Sequence, residues 1–363
     1  MTKREAQILE WIKENPMISQ QEIADRANIT RTSVGVHISN LMKKGEIVGK
    51  QYILRNNKYV CVIGGANIDI IGTPKAGLSK NDSSPGKISK SLGGVARNIA
   101  ENLSKLDIKV ELMTVLGDDD YSNLIQQNCR ENNISILNSQ ILPNSKTSTY
   151  ICINDENGEM QYAISDMEIY EKLNEDYLSR KLNIINNALA CVVDTNIPEK
   201  SLEYIMDNVK CPIFLDTVSN KKTEKVCNKL RNIYTIKPNI NEAEILSGVN
   251  VNNVDDLDLI YKKLLSKGIE RVFISMGNKG VYYSDKDNRG IISPCKNVKI
   301  VNTTGAGDTF VAALVWAYMN NYSIEYSAKA GIAASSICVA SKGTVSQEIS
   351  PDKIKNIIES EWR

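Results

Sequence analysis

Short apolar strands that alternate with helical stretches constrain this chain more than any other feature. Tyr59-Val60-Cys61-Val62-Ile63 runs into Gly64-Gly65, and residues 110–115, 190–194, 212–216, 233–236 and 271–275 repeat the pattern with mostly helical stretches between. Near-continuous runs of Val, Ile and Leu suit strands buried on both faces. Residues 58–363 are therefore expected to form a mostly parallel sheet with helices on either side, an α/β fold. Ligands in such sheets bind beyond the carboxyl ends of the strands. One segment breaks the alternation: residues 148–153, Asn157-Gly158 and residues 160–164 read as a hairpin, part of a small β lid.

Asn302-Thr303-Thr304-Gly305-Ala306-Gly307-Asp308 leads straight into an apolar run, TFVAALVWAYM. A glycine-rich turn feeding a helix leaves backbone N–H groups unpaired and aimed one way, and the helix dipole adds partial positive charge. Gly305, Ala306 and Gly307 are thus an expected anion hole. Asp308 falls in the first turn, where a carboxylate is stabilised. Beside bound phosphate it suits a base that takes a hydroxyl proton during phosphoryl transfer. A turn that merely caps a buried helix would read alike, so the companions of this motif matter.

There are four. Asn67-Ile68-Asp69 follows the first strand, and an amide with a carboxylate can bind vicinal hydroxyls. Gly93-Gly94-Val95-Ala96-Arg97-Asn98 opens a helix; its glycines let a ligand approach, and Asn98 can reach the same hydroxyls. Lys237-Pro238-Asn239-Ile240-Asn241-Glu242 lies at a strand end, with Glu242 a candidate Mg²⁺ partner through water. Ser275-Met276-Gly277-Asn278-Lys279-Gly280 is a turn suited to a nucleotide.

Residues 1–57 read differently. Ala6, Ile8, Leu9 and Ile12 share a helical face that Asn15-Pro16 ends. Ser19 with Glu22 forms a capping box for a helix over Gln20–Ala27, and Thr30 caps a third helix that Gly45 stops. Ile47-Val48 and residues 51–54 read as a small hairpin. Three helices and a hairpin are the pattern of a winged helix-turn-helix domain. Residues 1–58 hold ten Lys/Arg against six Asp/Glu, whereas the full chain is at +1. Arg31, Thr32, Ser33 and Asn40 are candidates for base edges, with Lys43, Lys44 and Lys50 for phosphates; His37 reads as an ordinary surface residue. Val34, Ile38 and Leu41 are the expected buried stripe. Such a domain could instead serve dimerisation or regulation by contact.

A single histidine, His37, excludes a Ser-His-Asp hydrolase or a multi-histidine metal site in the body. Eight scattered cysteines without a CxxC pair fit reduced thiols. No signal-peptide pattern or membrane-length apolar run is present, so a cytoplasmic protein with no membrane partner is expected.

The order GG-x-x-x-N, N-x-x-E, [ST]-x-G-x-x-G and TGAGD is similar to the ribokinase/PfkB-type carbohydrate kinase family over about residues 59–355. That resemblance implies a ribokinase-like three-layer sandwich, ATP, Mg²⁺, and γ-phosphoryl transfer to a sugar hydroxyl with Asp308 as base. It implies that Asn239, Glu242, Ser275, Gly277, Gly280 and Thr304 serve the nucleotide. Asn67, Asp69, Gly93, Gly94 and Asn98 would line the sugar. A homodimer is implied too. Within the family, GGANIDI at 64–70, SPGKI at 84–88, GGVARNIAENL at 93–103, SDM at 165–167 and TIKPN at 235–239 resemble pseudouridine kinases. Arg97 and Asp166 are then candidates for the ribosyl or uracil part; an ion pair or loop hydrogen bond accounts for them equally. A departure stands at Asn302, where many relatives carry an Asp associated with a monovalent cation, and weak or absent K⁺ dependence is expected. The rival reading is a transcription regulator whose kinase-like body senses a nucleoside.

Overall fold

The computed structural model describes residues 2–14, 18–44, 46–47, 58–79, 81–157 and 159–362. The chain divides into two units, Met1–Asn56 and Asn57–Arg363.

In the first unit, α1 (Lys3–Glu14), α2 (Gln20–Ala27) and α3 (Arg31–Lys43) follow in order. The capping box forms: Ser19 Oγ accepts from the Glu22 N–H at 3.1 Å, and the Glu22 carboxylate accepts from the Ser19 N–H at 2.8 Å. Asn28 in the left-handed region, φ 51°, ends α2. Thr30 Oγ1 accepts from the Ser33 N–H and starts α3. Val34, Ile38 and Leu41 meet Ile8, Leu9, Ile23 and Ala24 in one small core. Asn15-Pro16, Gly45, Val48, the second strand of the expected hairpin and Lys50 lie outside the described residues.

The second unit is built on a nine-stranded sheet. From edge to edge its strands are Arg289–Ile292, Val281–Ser284, Ile269–Ser275, Ile233–Lys237, Ile213–Asp216, Ala190–Asp194, Val60–Ile63, Val110–Met113 and Ile134–Ser135. Neighbours from Ile134–Ser135 to Ile269–Ser275 pair in parallel, and the remaining two strands run antiparallel. Alternation of side chains across the pleat divides the core in two. Cys61 and Ile63 join Leu202, Ile236 and Leu264 on one face, while Val60 and Val62 join Ile99, Leu112 and Val311 on the other. The helix Ala306–Met319 is buried throughout residues 309–317 and packs on Ile324–Val339, which explains why it is apolar on every face.

A second, four-stranded sheet forms the lid, in the order Gly86–Gly93, Asn67–Pro74, Thr149–Asn154, Met160–Asp166. The expected hairpin supplies its last two strands. The other two were not expected from the sequence, where Asn67-Ile68-Asp69 stood only as a cluster following the first strand. The chain instead enters the lid there, with Asn67 opposite Gly93. Residues 110–115 are not one strand either: Val115–Leu116 leaves the main sheet to pair with Gln140–Ile141.

Candidate active site

Gly305 sits at the N-cap of the helix Ala306–Met319 with φ 84°. A Cβ there would lie 2.0 Å from the Thr344 carbonyl oxygen, so glycine is required both by the left-handed backbone and by the close approach. Ala306 and Gly307 line a cavity of about 780 Å³, and the Ala306 N–H turns back to the Thr303 carbonyl at 3.4 Å. Asp308, one residue on, is half-buried. Burial raises its pKa to about 7, with Asp216 and Asp194 adding in the same direction and the Asn98 amide and Lys237 opposing. Asn98 Nδ2 donates to Asp308 Oδ2 at 2.7 Å.

The lid contributes a second carboxylate. Asn67 Nδ2 donates to Asp69 Oδ1 at 2.6 Å, and burial still pushes Asp69 upward against that amide and against Arg97. Gly93 stands opposite Asn67, and Gly94 caps the helix Val95–Lys105 with φ 95°. Asn67, Asp69, Gly93, Gly94 and Asn98 thus gather at the mouth of the lid, joined to Asp308 through Asn98. What ties the two glycine turns together is Asp194, fully buried, whose Oδ2 accepts from the N–H of both Gly65 and Ala96 at 2.9 Å. Its burial raises its pKa despite those bonds.

Two expected substrate residues land elsewhere. Arg97 is 2% exposed, and its guanidinium bonds to Gly93 O, Leu92 O, Glu101, Asn128 and Asn98. It holds the protein together at this point instead of offering its donors to a ligand. Asp166 is exposed and lies opposite Thr149, which lies opposite Ile68. Directly opposed residues share a face of a sheet. Tyr150 and Ser165, together with Ser91, therefore occupy Asp69's face, and Asp166 points to the other. A slip of one residue in reading a strand turns every side chain over, and the register was not readable from one strand alone.

The cavity is lined by Asn239, Ser275, Gly277, Gly280, Gly307 and Lys237, among others. Four residues expected at the nucleotide are thereby brought together. Thr304 stands at the rim, its N–H bonded to Asn302 Oδ1 at 3.0 Å. Lys237 was overlooked in the sequence although it opens the Lys-Pro-Asn cluster. Its Nζ lies 3.2 Å from the position a Cβ on Gly307 would take, and 4.0 Å from Asp216 Oδ2. Glu242 is 4% exposed, and its Oε2 accepts from the Asn239 N–H at 2.9 Å and from Thr217 Oγ1 at 2.6 Å. It caps the helix Ile240–Ser247 and does not line the cavity. Asp216 Oδ2, by contrast, is buried with no hydrogen-bond partner among the described residues. No cluster of three metal-ligating side chains occurs among those residues. Mg²⁺ carried by phosphate oxygens and water asks for no more than one or two carboxylates, and Asp216 and Glu242 fit that requirement.

Asn302 is tied on both sides. Its Oδ1 accepts from Thr304, and its Nδ2 donates to the Lys342 carbonyl at 3.1 Å.

In the first unit, Arg31, Thr32 and Lys43 are exposed on α3, while Ser33 and Asn40 are half-buried. Ser33 Oγ pairs with Thr30 Oγ1 at 2.9 Å. Lys44 extends to Glu5 at 2.6 Å and anchors the end of α3 to α1, which reduces its freedom to meet a phosphate.

Residues 57–351 match the family model described as pfkB family carbohydrate kinase, and residues 1–48 match one described as winged helix-turn-helix DNA-binding. The chain is 33% identical to the uncharacterized sugar kinase YeiI of Escherichia coli K12, with 99% of each chain covered. It is 35% identical to a pseudouridine kinase of Escherichia coli K12 over 85% of this chain and 98% of that one. In fold it is similar to Arabidopsis thaliana ribokinase complexed with ribose and ATP, with a TM-score of 0.74 at 21% identity, covering 83% of this chain and 99% of that one. Among the described residues, no helix is long and apolar enough to cross a membrane.

Proposed function

The chain belongs to the pfkB family of carbohydrate kinases, phosphotransferases with an alcohol acceptor, and from that footing we propose that it moves the γ-phosphoryl group of ATP to the 5′-hydroxyl of pseudouridine. The observation that carries this reading is Asp308 itself. It stands at a helix N-terminus, next to Gly307 on the wall of a nucleotide-sized cavity, and is bonded to Asn98 of the hydroxyl-binding cluster. The 35% identity to a pseudouridine kinase supports the choice of substrate.

In this mechanism Asn67, Asp69 and Asn98 hold the ribosyl hydroxyls, and Ser91, Tyr150 and Ser165 on the same lid face border the base. Asn98 fixes one oxygen of Asp308, and the other accepts the proton of the attacking hydroxyl. Negative charge that develops on the transferring group meets the N–H groups of the Gly305 turn and the ammonium of Lys237. Mg²⁺, when bound, neutralises charge on the β- and γ-phosphates; Asp216 and Glu242 are the residues that would hold it, through water. The lid excludes water. One face of it exposes Ile88, Ile151, Ile153, Tyr162 and Ile164, an apolar surface that supports a homodimer.

The test is ADP release with ATP and Mg²⁺ against pseudouridine, uridine, other nucleosides, ribose and fructose 6-phosphate. Selective turnover of pseudouridine is expected. Turnover of another compound would keep the kinase and discard this substrate.

Proton acceptance by Asp308 requires the ionised form. Turnover should therefore fall on the acid side with a midpoint at about 7, by roughly tenfold per pH unit below it. A profile flat down to pH 5 would remove this carboxylate from the role. Because Asn302 pairs with the Lys342 carbonyl, exchange of Na⁺ for K⁺ should leave turnover nearly unchanged; a large rise with K⁺ would overturn that.

A second reading rests on the winged helix-turn-helix match: the kinase also reports its substrate to DNA. A gel shift on the DNA upstream of its own coding sequence, with and without nucleoside, tests it. Replacing exposed Arg31 and Lys43 by Ala should weaken binding and lower the salt slope by about one per lost phosphate contact. No shift at low salt on that DNA or on other candidate promoters would refute DNA binding.

A further inference from the structure

We propose that Arg97 is a positioning residue that sets the orientation of the Asn98 amide and so aims an N–H, not an oxygen, at the proton-accepting carboxylate of Asp308. An asparagine amide can turn over and exchange its oxygen for its NH₂ with almost no change of shape. At Asn98 the choice decides the chemistry, because Asp308 Oδ2 lies 2.7 Å from one end of the amide. NH₂ there stabilises the carboxylate and leaves its other oxygen for the substrate; an oxygen there would repel it. Arg97 Nη2 donates to the Asn98 Oδ1 at the opposite end. A guanidinium has donors and no acceptor, so an NH₂ group cannot replace that oxygen. The amide is held one way round.

The guanidinium is itself rigidly held. Nε donates to Gly93 O at 3.0 Å, Nη1 to Glu101 Oε2 at 2.6 Å and to Asn128 Oδ1 at 3.1 Å, and Nη2 also to Leu92 O at 3.2 Å. Glu101, 4% exposed, balances the charge from one helical turn away. Lysine carries a single compact ammonium and cannot reproduce that fork. The charged groups facing Asp308 from the packed strand ends are Asp216, Asp194 and Lys237, and none of them contacts the Asn98 amide. Thr344 Oγ1 also reaches Asn98 Oδ1, at 3.5 Å, but a hydroxyl can donate or accept and so does not select one end of the amide; that selection belongs to Arg97.

This inference rests on Asp308 as the base, and its test does not depend on the substrate. The Asp308 carboxyl is titrated in the full-length, ligand-free protein by infrared difference spectroscopy, with Asp308→Asn identifying its band. Arg97→Lys, which keeps charge and bulk, should raise the Asp308 midpoint by about one pH unit, a tenfold gain in proton affinity. Arg97→Met should do the same or more where it folds. In an Asn98→Ala background the Arg97→Lys shift should vanish, because the route through the amide is gone. An unmoved midpoint in Arg97→Lys, or an equal shift with and without Asn98, would overturn the proposal. If no nucleoside is turned over while the midpoint moves as expected, the reading of function fails and the positioning role stands.

Discussion

Asp308→Asn is expected to lower turnover by about 10²–10⁴-fold, the usual contribution of a placed acid or base, with little change in ATP affinity. The amide keeps the shape of the carboxylate and the helix start, but it cannot accept a proton at neutral pH. Single-turnover phosphorylation and equilibrium ATP binding separate the two effects; turnover within tenfold of the parent would remove Asp308 from its role. The same substitution should stabilise the fold under basic conditions. Burial raises the Asp308 pKa to about 7, so the folded protein holds this proton more tightly than the unfolded chain. That contribution to stability is complete below the ordinary carboxylate range and is lost as pH rises through about 7. Asp308→Asn should therefore melt higher than the parent at pH 8 and show no gain at pH 4. A lower melting temperature at pH 8 would contradict the strained carboxylate.

Gly305→Ala should cost a similar amount of activity for a different reason. The added methyl would lie 2.0 Å from the Thr344 carbonyl oxygen and 2.8 Å from its carbon, both backbone atoms that cannot swing aside. The φ of 84° adds strain of order 1–3 kcal/mol for a residue other than glycine. The turn must move, and the N–H groups it aims are re-aimed. Loss of a single such donor typically lowers turnover by about 10²–10³-fold. Gly248→Ala, at the end of the helix Ile240–Ser247, is the contrast: φ there is 67°, yet nothing lies within 4 Å of the added methyl. It should lose little turnover. If the two variants are equally impaired, the close approach to Thr344 is not what matters.

The floor of the site was legible in the sequence because it is local. Asn302 to Asp308 and the apolar run behind them are contiguous, and both the glycine at the turn and the acid in the first turn have short-range physical causes. The first three helices were equally plain, down to Ser19 with Glu22 and Thr30. The sheet strands could be read from their apolar runs, but their neighbours could not. What the sequence hid was mostly long-range. Asp194 joins two turns from a strand 98 residues beyond Ala96. The lid face that holds Asp69, Tyr150 and Ser165 depends on the pairing register of three strands, so the opposite face of Asp166 could not be read from its own strand. For Arg97 the sequence left a ligand contact and an ion pair equally open, and the bonds to Glu101 and Asn128 show the second. Lys237 was visible in its cluster and overlooked. At Glu242 the N-x-x-E spacing was visible, and the structure adds a reciprocal capping box with Asn239.

The bond between Asn98 and Asp308 spans 210 positions of the chain, and Thr344 closes over the turn from still further on. During synthesis the hydroxyl-binding half of the pocket leaves the ribosome first, and the proton acceptor follows it by most of the chain's length. A polypeptide interrupted before residue 305 would carry Asn67, Asp69 and Asn98 without any means to use them. Phosphoryl transfer in a cell extract should therefore count finished molecules, because a fragment released early lacks Asp308 and the turn before it.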